Sequence, residues 1–356
     1  MNRRPSCRNL VEPPVLARLF TLFPPQGFGC STGIMGLPVF FTELDILTTL
    51  EAGTRSRLSR LPLFSVWSRL LRFSACFAGT TVTEYAPLPR EASPEDILDS
   101  LLLEHGKGPS LIIIKDLPVS SPLLPQEDND FSSRLASLAT DAGFIEVEGQ
   151  ALAYVPIDFT GVEEYLSRLS AGRRKDLRRK LKKRALLEME ELPLGDARFF
   201  SSAFLDELYA MYLAVFEQSD IHFDLLNRDF FTALLQSRDI GGSVFLYRHQ
   251  GALAGHNICL IKDGMLIDKY VGFSYPLARN LNLYFISWIV NLEYALANGL
   301  RIYIAGWTDP KVKAALGASF TFTRHLVWVR NPLLRGILRP LRHLFESDGT
   351  TLRSAP

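Results

Sequence analysis

The sequence predicts an α/β protein with two domains, and three observations support this. From about residue 80 onward, short apolar runs typical of strands alternate with segments of helical periodicity, which is the pattern of sheets covered by helices. The chain has 356 residues, which is long for a single small domain. Hydrophobic residues make up 47% of it and charged residues 22%, enough for a large core. The formal net charge is only +1, so we expect no DNA binding.

The first half of the chain becomes readable after about residue 75, where proline and glycine no longer interrupt every apolar segment. Ser93 followed by Pro94 is a typical helix start, because the serine caps the helix and proline fits its first turn. The predicted elements are a strand at Thr81–Tyr85, a helix at Pro94–Leu103, a strand at Leu111–Ile114, a helix at Asp130–Ala142 and strands at Phe144–Val147 and Ala151–Ile157.

A basic segment follows, and it is predicted to be a single helix from Val162 to about Glu188. Its middle carries nine basic side chains and one acid, Asp176. The nine are Arg173, Arg174, Lys175, Arg178, Arg179, Lys180, Lys182, Lys183 and Arg184. This charge density predicts a surface for tRNA or for lipid phosphates, and a merely solvated helix face is the alternative.

The second half repeats the alternation of helices and strands. Helices are predicted at Ser202–Phe216, Asn227–Gln236 and Asn282–Ala297, with a helical turn at Lys311–Leu316. Strands are predicted at Ser243–Arg248, Leu253–Ile261, Met265–Gly272, Arg301–Ala305 and Thr321–Val329. Two antiparallel strands, a third strand, a long helix, a fourth strand, a short helix and a last strand form a recognisable order.

That order resembles the core of a GNAT acyltransferase. Four segments also resemble bacterial Fem-like proteins: the basic run Arg173–Lys183, then Lys269–Phe273, Asn280–Ala297 and Gly306–Gly317. The resemblance covers roughly residues 80 to 330 and implies tandem GNAT-like domains, whose mixed central sheets are flanked by helices. We divide the chain into an N-terminal part of the first domain (1–79), a degenerate first GNAT-like domain (80–158), a basic linker (159–190), a catalytic GNAT-like domain (191–330) and a basic amphipathic tail (331–356).

The resemblance implies an N-acyltransferase that moves an acyl group from an acyl-CoA-type thioester to an amine on a lipid or cell-envelope precursor. Acyl-CoA is then a co-substrate, and neither a bound cofactor nor a metal is expected. Two alternatives stay open: a Fem-like enzyme that uses aminoacyl-tRNA and a peptidoglycan precursor, and a non-catalytic binding protein. The segment Ser274–Asn282 lacks the glycines with which the GNAT loop approaches a pyrophosphate, so the sequence leaves the donor open.

Amide formation requires an acid or base beside the reacting groups. Asp268 and Tyr270 alternate along one predicted strand, so we expect them to share a face, with Asp268 as general base and Tyr270 as acid or substrate clamp. His222, which lies between two aspartates in a loop, and His256, in a predicted strand, are further candidate bases. The alternative for each is an ordinary structural or solvated side chain.

Four residues are candidates for binding the donor. Arg279, Asn280 and Asn282 precede the long helix, whose N-terminus favours an anion. Lys311 follows the fourth strand and is a candidate phosphate ligand. Helix capping is the alternative function of the two asparagines, and it is the expected function of Asp309.

We expect a cytoplasmic protein that attaches peripherally to the inner membrane. The uncharged run from Leu19 to Thr42 is long enough to span a bilayer, but prolines and glycines interrupt it. The basic helix at 173–184 and the tail at 331–345 are the predicted membrane contacts.

Overall fold

The computed structural model describes residues 7–49, 68–219 and 223–342, together with single positions between 57 and 64. The chain divides into two compact units. Unit 1 consists of Met1–Leu10, Phe20–Ala151 and Thr321–Pro356, and unit 2 consists of Val11–Leu19 and Leu152–Phe320. These limits differ from the predicted domains, because the last strand lies in unit 1 although it follows all the strands of unit 2.

The described strands and helices are as follows. The strands are β1 (Cys7–Arg8), β2 (Gly29–Thr32), β3 (Pro38–Asp45), β4 (Arg72–Ala78), β5 (Leu88–Pro89), β6 (Leu111–Ser120), β7 (Ile145–Pro156), β8 (Glu188–Pro193), β9 (Gly242–His249), β10 (Ala252–Lys262), β11 (Met265–Phe273), β12 (Ile302–Gly306) and β13 (Ser319–Val329). The α-helices are α1 (Pro14–Leu22), α2 (Pro94–His105), α3 (Gln126–Asp141), α4 (Val162–Ser167), α5 (Ala171–Leu181), α6 (Ser202–Gln218), α7 (Arg228–Gln236), α8 (Leu277–Asn280), α9 (Leu283–Ala297), α10 (Pro310–Ala315) and α11 (Pro332–Leu338). Short 3-10 helices lie at Ile34–Gly36, Ile46–Thr49, Ser68–Leu71, Lys182–Leu186 and Ala197–Phe200.

The sheet of unit 1 has the strand order β2-β3-β4-β6-β13-β7. β4 and β6 are parallel and are connected through α2, whereas β3 and β13 pair antiparallel with their neighbours β4 and β6. α2 starts where predicted, because Ser93 accepts a hydrogen bond from Asp96 N and the Asp96 carboxylate accepts one from Ser93 N. Apolar side chains of α2 and α3, such as Ile97 and Leu135, are buried in the core of this unit.

The sheet of unit 2 has the order β7-β12-β11-β10-β9-β8, in which only β11 and β12 are parallel. α9 connects these two strands and supplies much of the core, with Ile286, Ile289 and Leu292 almost completely buried. Its apolar sequence is therefore explained by its position between the sheet and the rest of unit 2. α5 packs on α9 and buries Leu177.

Several predicted elements differ from the observed ones. Thr81–Tyr85 is not a strand but an irregular buried segment, in which Thr80 and Thr83 hydroxyls bond to the backbone. The predicted helix 162–188 is divided into α4, α5, a 3-10 turn and the start of β8, because the chain turns at Arg168–Ser170 and Ser170 caps a new helix. The two predicted strands at 144–147 and 151–157 are one continuous strand, β7, and α3 begins four residues earlier than predicted.

None of the helices in the described part of the chain combines the length and the apolar character needed to cross a bilayer.

Candidate functional site

The candidate site lies in unit 2, where β11 and β12 diverge. The two strands pair only between Met265–Ile267 and Ile302–Ile304. β11 then continues to Phe273, whereas β12 ends at Gly306, which has a positive φ of 79°. A Cβ atom on Gly306 would lie 3.7 Å from the Asp268 carbonyl oxygen and 3.9 Å from Lys313 Nζ. Parallel strands that separate at their carboxyl ends leave a cleft in which side chains and backbone groups can meet a substrate.

Three neutral donors hold the Asp268 carboxylate at this cleft. Asn257 Nδ2 donates to Oδ1 at 3.0 Å, Asn291 Nδ2 donates to Oδ2 at 3.1 Å, and the Tyr303 hydroxyl donates to Oδ2 at 2.8 Å. Asp268 itself is half-buried, whereas Asn257, Asn291 and Tyr303 are almost completely inaccessible. Hydrogen bonds of this kind fix the orientation of a carboxylate and stabilise its ionised form.

The same cluster continues into the core through buried side chains. Cys259 Sγ donates to Asn257 Oδ1 at 2.7 Å. Burial and the negative charge of Asp268 raise the pKa of both the Cys259 thiol and the Tyr303 hydroxyl, so both groups stay neutral. Asp268 is therefore the charged member of an otherwise neutral network.

Asp268 and Tyr270 do not share a face, contrary to the prediction from strand alternation. Cys259 pairs with Asp268 and Ile258 with Tyr270, so Lys269 is an extra residue that forms a β-bulge. The Asp268 side chain bonds to Asn291 of α9, while the Tyr270 ring contacts Tyr212 of α6, 6.1 Å between ring centroids, and a phenylalanine of α7. The bulge therefore places the Tyr270 side chain on the opposite face of the sheet from the Asp268 carboxylate.

Lys269, the extra residue, forms a buried ion pair within unit 2. Its Nζ lies 3.3 Å from Glu12 Oε1, and the two side chains are 6% and 0% exposed. A buried charge is tolerated only when it is paired, so this contact accounts for the direction in which the bulged side chain points.

His256, one of the two candidate histidines, does not lie at the cleft beside Asp268. His256 lies on the same face as Tyr270, where its ring contacts Phe231 of α7 and packs on Gly272. It is completely buried, and this desolvation lowers its pKa to about 3, so it is neutral at physiological pH. His222 lies outside the described residues.

Tyr284, in the first turn of α9, is a polar residue that the sequence did not single out. Its hydroxyl is buried and has no hydrogen-bond partner among the described residues. Burial raises its pKa, and the negative charges of Asp309 and Asp268 raise it further. The hydroxyl therefore stays protonated, and the described residues leave its hydrogen-bonding capacity unused.

Lys313 is the second residue that the sequence analysis missed. It lies on α10 and is only 4% exposed, with its ammonium near Gly306 and the Asp268 backbone. The predicted phosphate ligand Lys311, two positions earlier on the same helix, is exposed. Asp309 occupies the N-cap position of α10 in a left-handed conformation, but its side chain makes no capping bond, so the expected capping function is wrong.

The segment before α9 brings some of the predicted donor residues together. Arg279 is exposed, its guanidinium lies 5.0 Å from the Tyr275 ring centroid, and it donates to Gln218. Asn282 occupies the N-cap position of α9 with φ of 56°, and its side chain does not cap the helix. The Asn280 carbonyl accepts a hydrogen bond from Lys183 Nζ.

The basic segment has a paired part and an unpaired part. Several of its cations are bound to acids or rings of unit 2, among them Arg184, which makes two hydrogen bonds to Glu293 at 2.7 and 2.6 Å. The side chains of Arg173, Lys175 and Lys182 are exposed and have no partner among the described residues. This part of the surface is free to meet phosphates.

One family model matches more than half of the chain. The profile of the FemAB-like family, described as peptidoglycan biosynthesis/recognition, matches residues 130–344. A search of curated proteins finds no significant sequence match.

Three similar solved structures show the fold. The structure of FemX has a TM-score of 0.54 and 12% identity, and the match covers 93% of this chain and 94% of that one. L-PGS from Bacillus licheniformis has a TM-score of 0.53 and 12% identity, over 95% and 98% of the two chains. The C-terminal domain of a protein named lysylphosphatidylglycerol synthetase, from Agrobacterium fabrum, has a TM-score of 0.53 and 12% identity, over 87% and 86%. The predicted α/β fold with tandem GNAT-like units is confirmed.

Proposed function

We propose, from the premise that the chain belongs to the FemAB-like family, that it transfers an acyl group from an activated carrier to an amine acceptor. The observation that carries this proposal is the Asp268 carboxylate, fixed by Asn257, Asn291 and Tyr303 where β11 and β12 diverge. A carboxylate that is held in one orientation beside a cleft is suited to accept a proton from an attacking amine.

The proposed reaction uses three side chains of unit 2. The amine nitrogen attacks the carbonyl carbon of the donor and loses a proton to Asp268. The buried ammonium of Lys313 stabilises the negative charge that forms on the carbonyl oxygen. When the bond between carbon and the carrier breaks, the Tyr284 hydroxyl protonates the leaving oxygen or sulfur. The products are the amide and the protonated carrier, and proton exchange with solvent then returns Asp268 to its carboxylate and Tyr284 to its hydroxyl.

Two observations favour an aminoacyl-tRNA donor over the predicted acyl-CoA. The first turn of α9 begins with Leu283 and the bulky, buried Tyr284 instead of glycines, so its backbone is not open to a pyrophosphate. The unpaired cations Arg173, Lys175 and Lys182 form a surface of the kind that binds a phosphate backbone. Acyl-CoA is the second candidate donor, because Arg279 lies exposed just before α9.

The family description points to an acceptor of the cell envelope. We propose that the acceptor is a peptidoglycan precursor or an amino lipid, and that the protein acts in the cytoplasm at the inner surface of the membrane. Basic side chains of α5 would then face anionic head groups or the donor.

The test measures transfer of a labelled acyl group into an amide. Purified protein is incubated with envelope precursors and with either labelled aminoacyl-tRNA or labelled acyl-CoA, and mild alkali then removes esters and thioesters but leaves amides. The Asp268→Asn variant should lose about 10²- to 10⁴-fold in rate, which is the usual contribution of a general base.

Asp263→Asn is the matched control, because Asp263 is an exposed carboxylate at the turn into the same strand. It should transfer at the wild-type rate. Alkali-stable label from tRNA alone supports the aminoacyl donor, and label from CoA alone supports the second candidate. The absence of amide from both donors, or a folded Asp268→Asn variant with normal turnover, contradicts the proposal in its present form.

A further inference from the structure

The C-terminal helix α11 and the turn after it carry an exposed apolar row in unit 1. Leu333 is 79% exposed, Ile337 60% and Leu341 38%. These residues are spaced by four, which places Leu333 and Ile337 one above the other on a helix. Large apolar side chains in such a row are unusual on a surface that faces only water.

The opposite side of α11 is held by hydrogen bonds and a cation–π contact to other residues of unit 1. Arg335 donates from Nε and Nη2 to the Val329 carbonyl at 3.0 and 2.6 Å, and its guanidinium lies over the Trp328 ring. Arg330 donates to the Lys107 carbonyl at 3.0 Å. Leu334 and Leu338 are half-buried. α11 is therefore held in place, and its exposed row is a fixed feature of the surface.

The charged residues in the segment that carries this row all have one sign. The segment from Arg330 to Arg342 contains four arginines and no acidic residue. Arg330 and Arg335 are used in holding the helix, whereas Arg339 and Arg342 are exposed and have no partner among the described residues. An apolar row beside free cations is complementary to the interface of a membrane that contains anionic lipids.

We propose that α11 and the following turn form a docking element for an anionic lipid surface, in which Leu333, Ile337 and Leu341 enter the interface while Arg339 and Arg342 contact lipid phosphates. A second copy of the chain is a poorer occupant, because a helix of seven residues is too small for the roughly 800 Å² per partner of a stable interface. Repulsion between the free arginines of two copies opposes self-association further. The proposal does not depend on the transfer reaction.

Vesicle co-sedimentation of the purified full chain tests this proposal. The vesicles consist of phosphatidylcholine alone or of phosphatidylcholine with phosphatidylglycerol. Wild-type protein should bind only the vesicles with phosphatidylglycerol, and more weakly as salt is added. Arg339→Gln/Arg342→Gln should bind about 30-fold more weakly, since each arginine near such a surface contributes roughly fivefold.

Leu333→Ser/Ile337→Ser should lose binding, while Leu103→Ser should bind like the wild type. Leu103 is the matched control, because it is 81% exposed on α2 of the same unit. Thermal unfolding of each variant checks that it is folded. Wild-type binding by Leu333→Ser/Ile337→Ser would overturn the proposal. So would a chain that does not bind phosphatidylglycerol vesicles but forms a dimer that this variant abolishes.

Discussion

Each unit contains a pair of parallel strands joined through a helix, but the two pairs end differently. In unit 1, β4 and β6 pair from Ala75–Ala78 to Leu111–Ile114. The chain then turns at Gly79, with φ of 121°, and the segment Thr80–Ala86 returns to β6, where Ala86 N donates to the Asp116 carbonyl at 3.0 Å. In unit 2, β11 continues as a strand beyond its pairing with β12.

The residues that lie at the ends of these two strand pairs differ accordingly. The returning segment of unit 1 is buried, and the Tyr85 hydroxyl within it bonds to Ser121 and Thr321 hydroxyls at 2.8 and 2.6 Å. At the corresponding place unit 2 has Asp268 and the ammonium of Lys313. The same strand pattern therefore supports a site only where the chain does not fill the gap between the diverging strands. Three changes test this contrast.

The largest expected effect comes from Lys313→Met in unit 2. Loss of a positive charge that stabilises the developing oxyanion should lower turnover by about 10²- to 10³-fold. Single-turnover amide formation with the active donor is the measurement. Lys107→Met, which changes an exposed lysine of unit 1, is the control and should behave like the wild type. Equal rates for both variants would remove Lys313 from the site.

Tyr85→Phe in unit 1 should lower stability and leave turnover unchanged. The change removes two hydrogen bonds and leaves the Ser121 hydroxyl poorly satisfied in a buried place, which costs about 1–3 kcal/mol of the free energy of unfolding. Urea unfolding measures the free energy of unfolding, and the amide assay measures turnover. If Tyr85→Phe had wild-type stability but reduced turnover, unit 1 would have a catalytic function. The contrast between a filled strand end in unit 1 and a site in unit 2 would then be wrong.

At neutral pH the smallest effect concerns His256, on the face of unit 2 opposite Asp268. Its folded-state pKa of about 3 lies below the unfolded value, so the unfolded chain takes up the proton first as the pH falls. The free energy of unfolding should therefore decrease from about pH 6.5 downward, with a contribution of up to about 1.4 kcal/mol per pH unit from this group. His256→Leu should reduce that slope in urea titrations at several pH values. An unchanged slope would mean that water reaches this face.

Most of the fold was predictable because its signals are local. Ser93 and Asn227 start helices where their side chains can cap, and Gln250–Gly251 makes the turn between β9 and β10. These features depend on neighbours within a few residues, which the sequence displays directly. The strand predicted at Thr81–Tyr85 was wrong, because an alternating sequence forms a strand only where a partner strand is available for pairing.

The candidate site was predictable in position but only partly in composition. Asp268 was singled out on its predicted strand, and its carboxylate lies where β11 and β12 diverge. The β-bulge at Lys269 depends on pairing with β10, which alternation along a single strand cannot reveal. Lys313 looked like one surface lysine among several, since its burial results from tertiary packing.

The place of β13 in the sheet has a consequence for synthesis on the ribosome. β13 lies between β6 and β7 in unit 1, although it is the last strand among the described residues. Unit 2 ends at Phe320, so its sheet can form before the whole of β13 has emerged from the ribosome. β6 cannot pair along its full length with β13 until Val329 has been synthesised. During that interval β6 has an open edge with unpaired backbone groups, which is a place where nascent chains aggregate. The second unit in the sequence is thus the first that can finish folding.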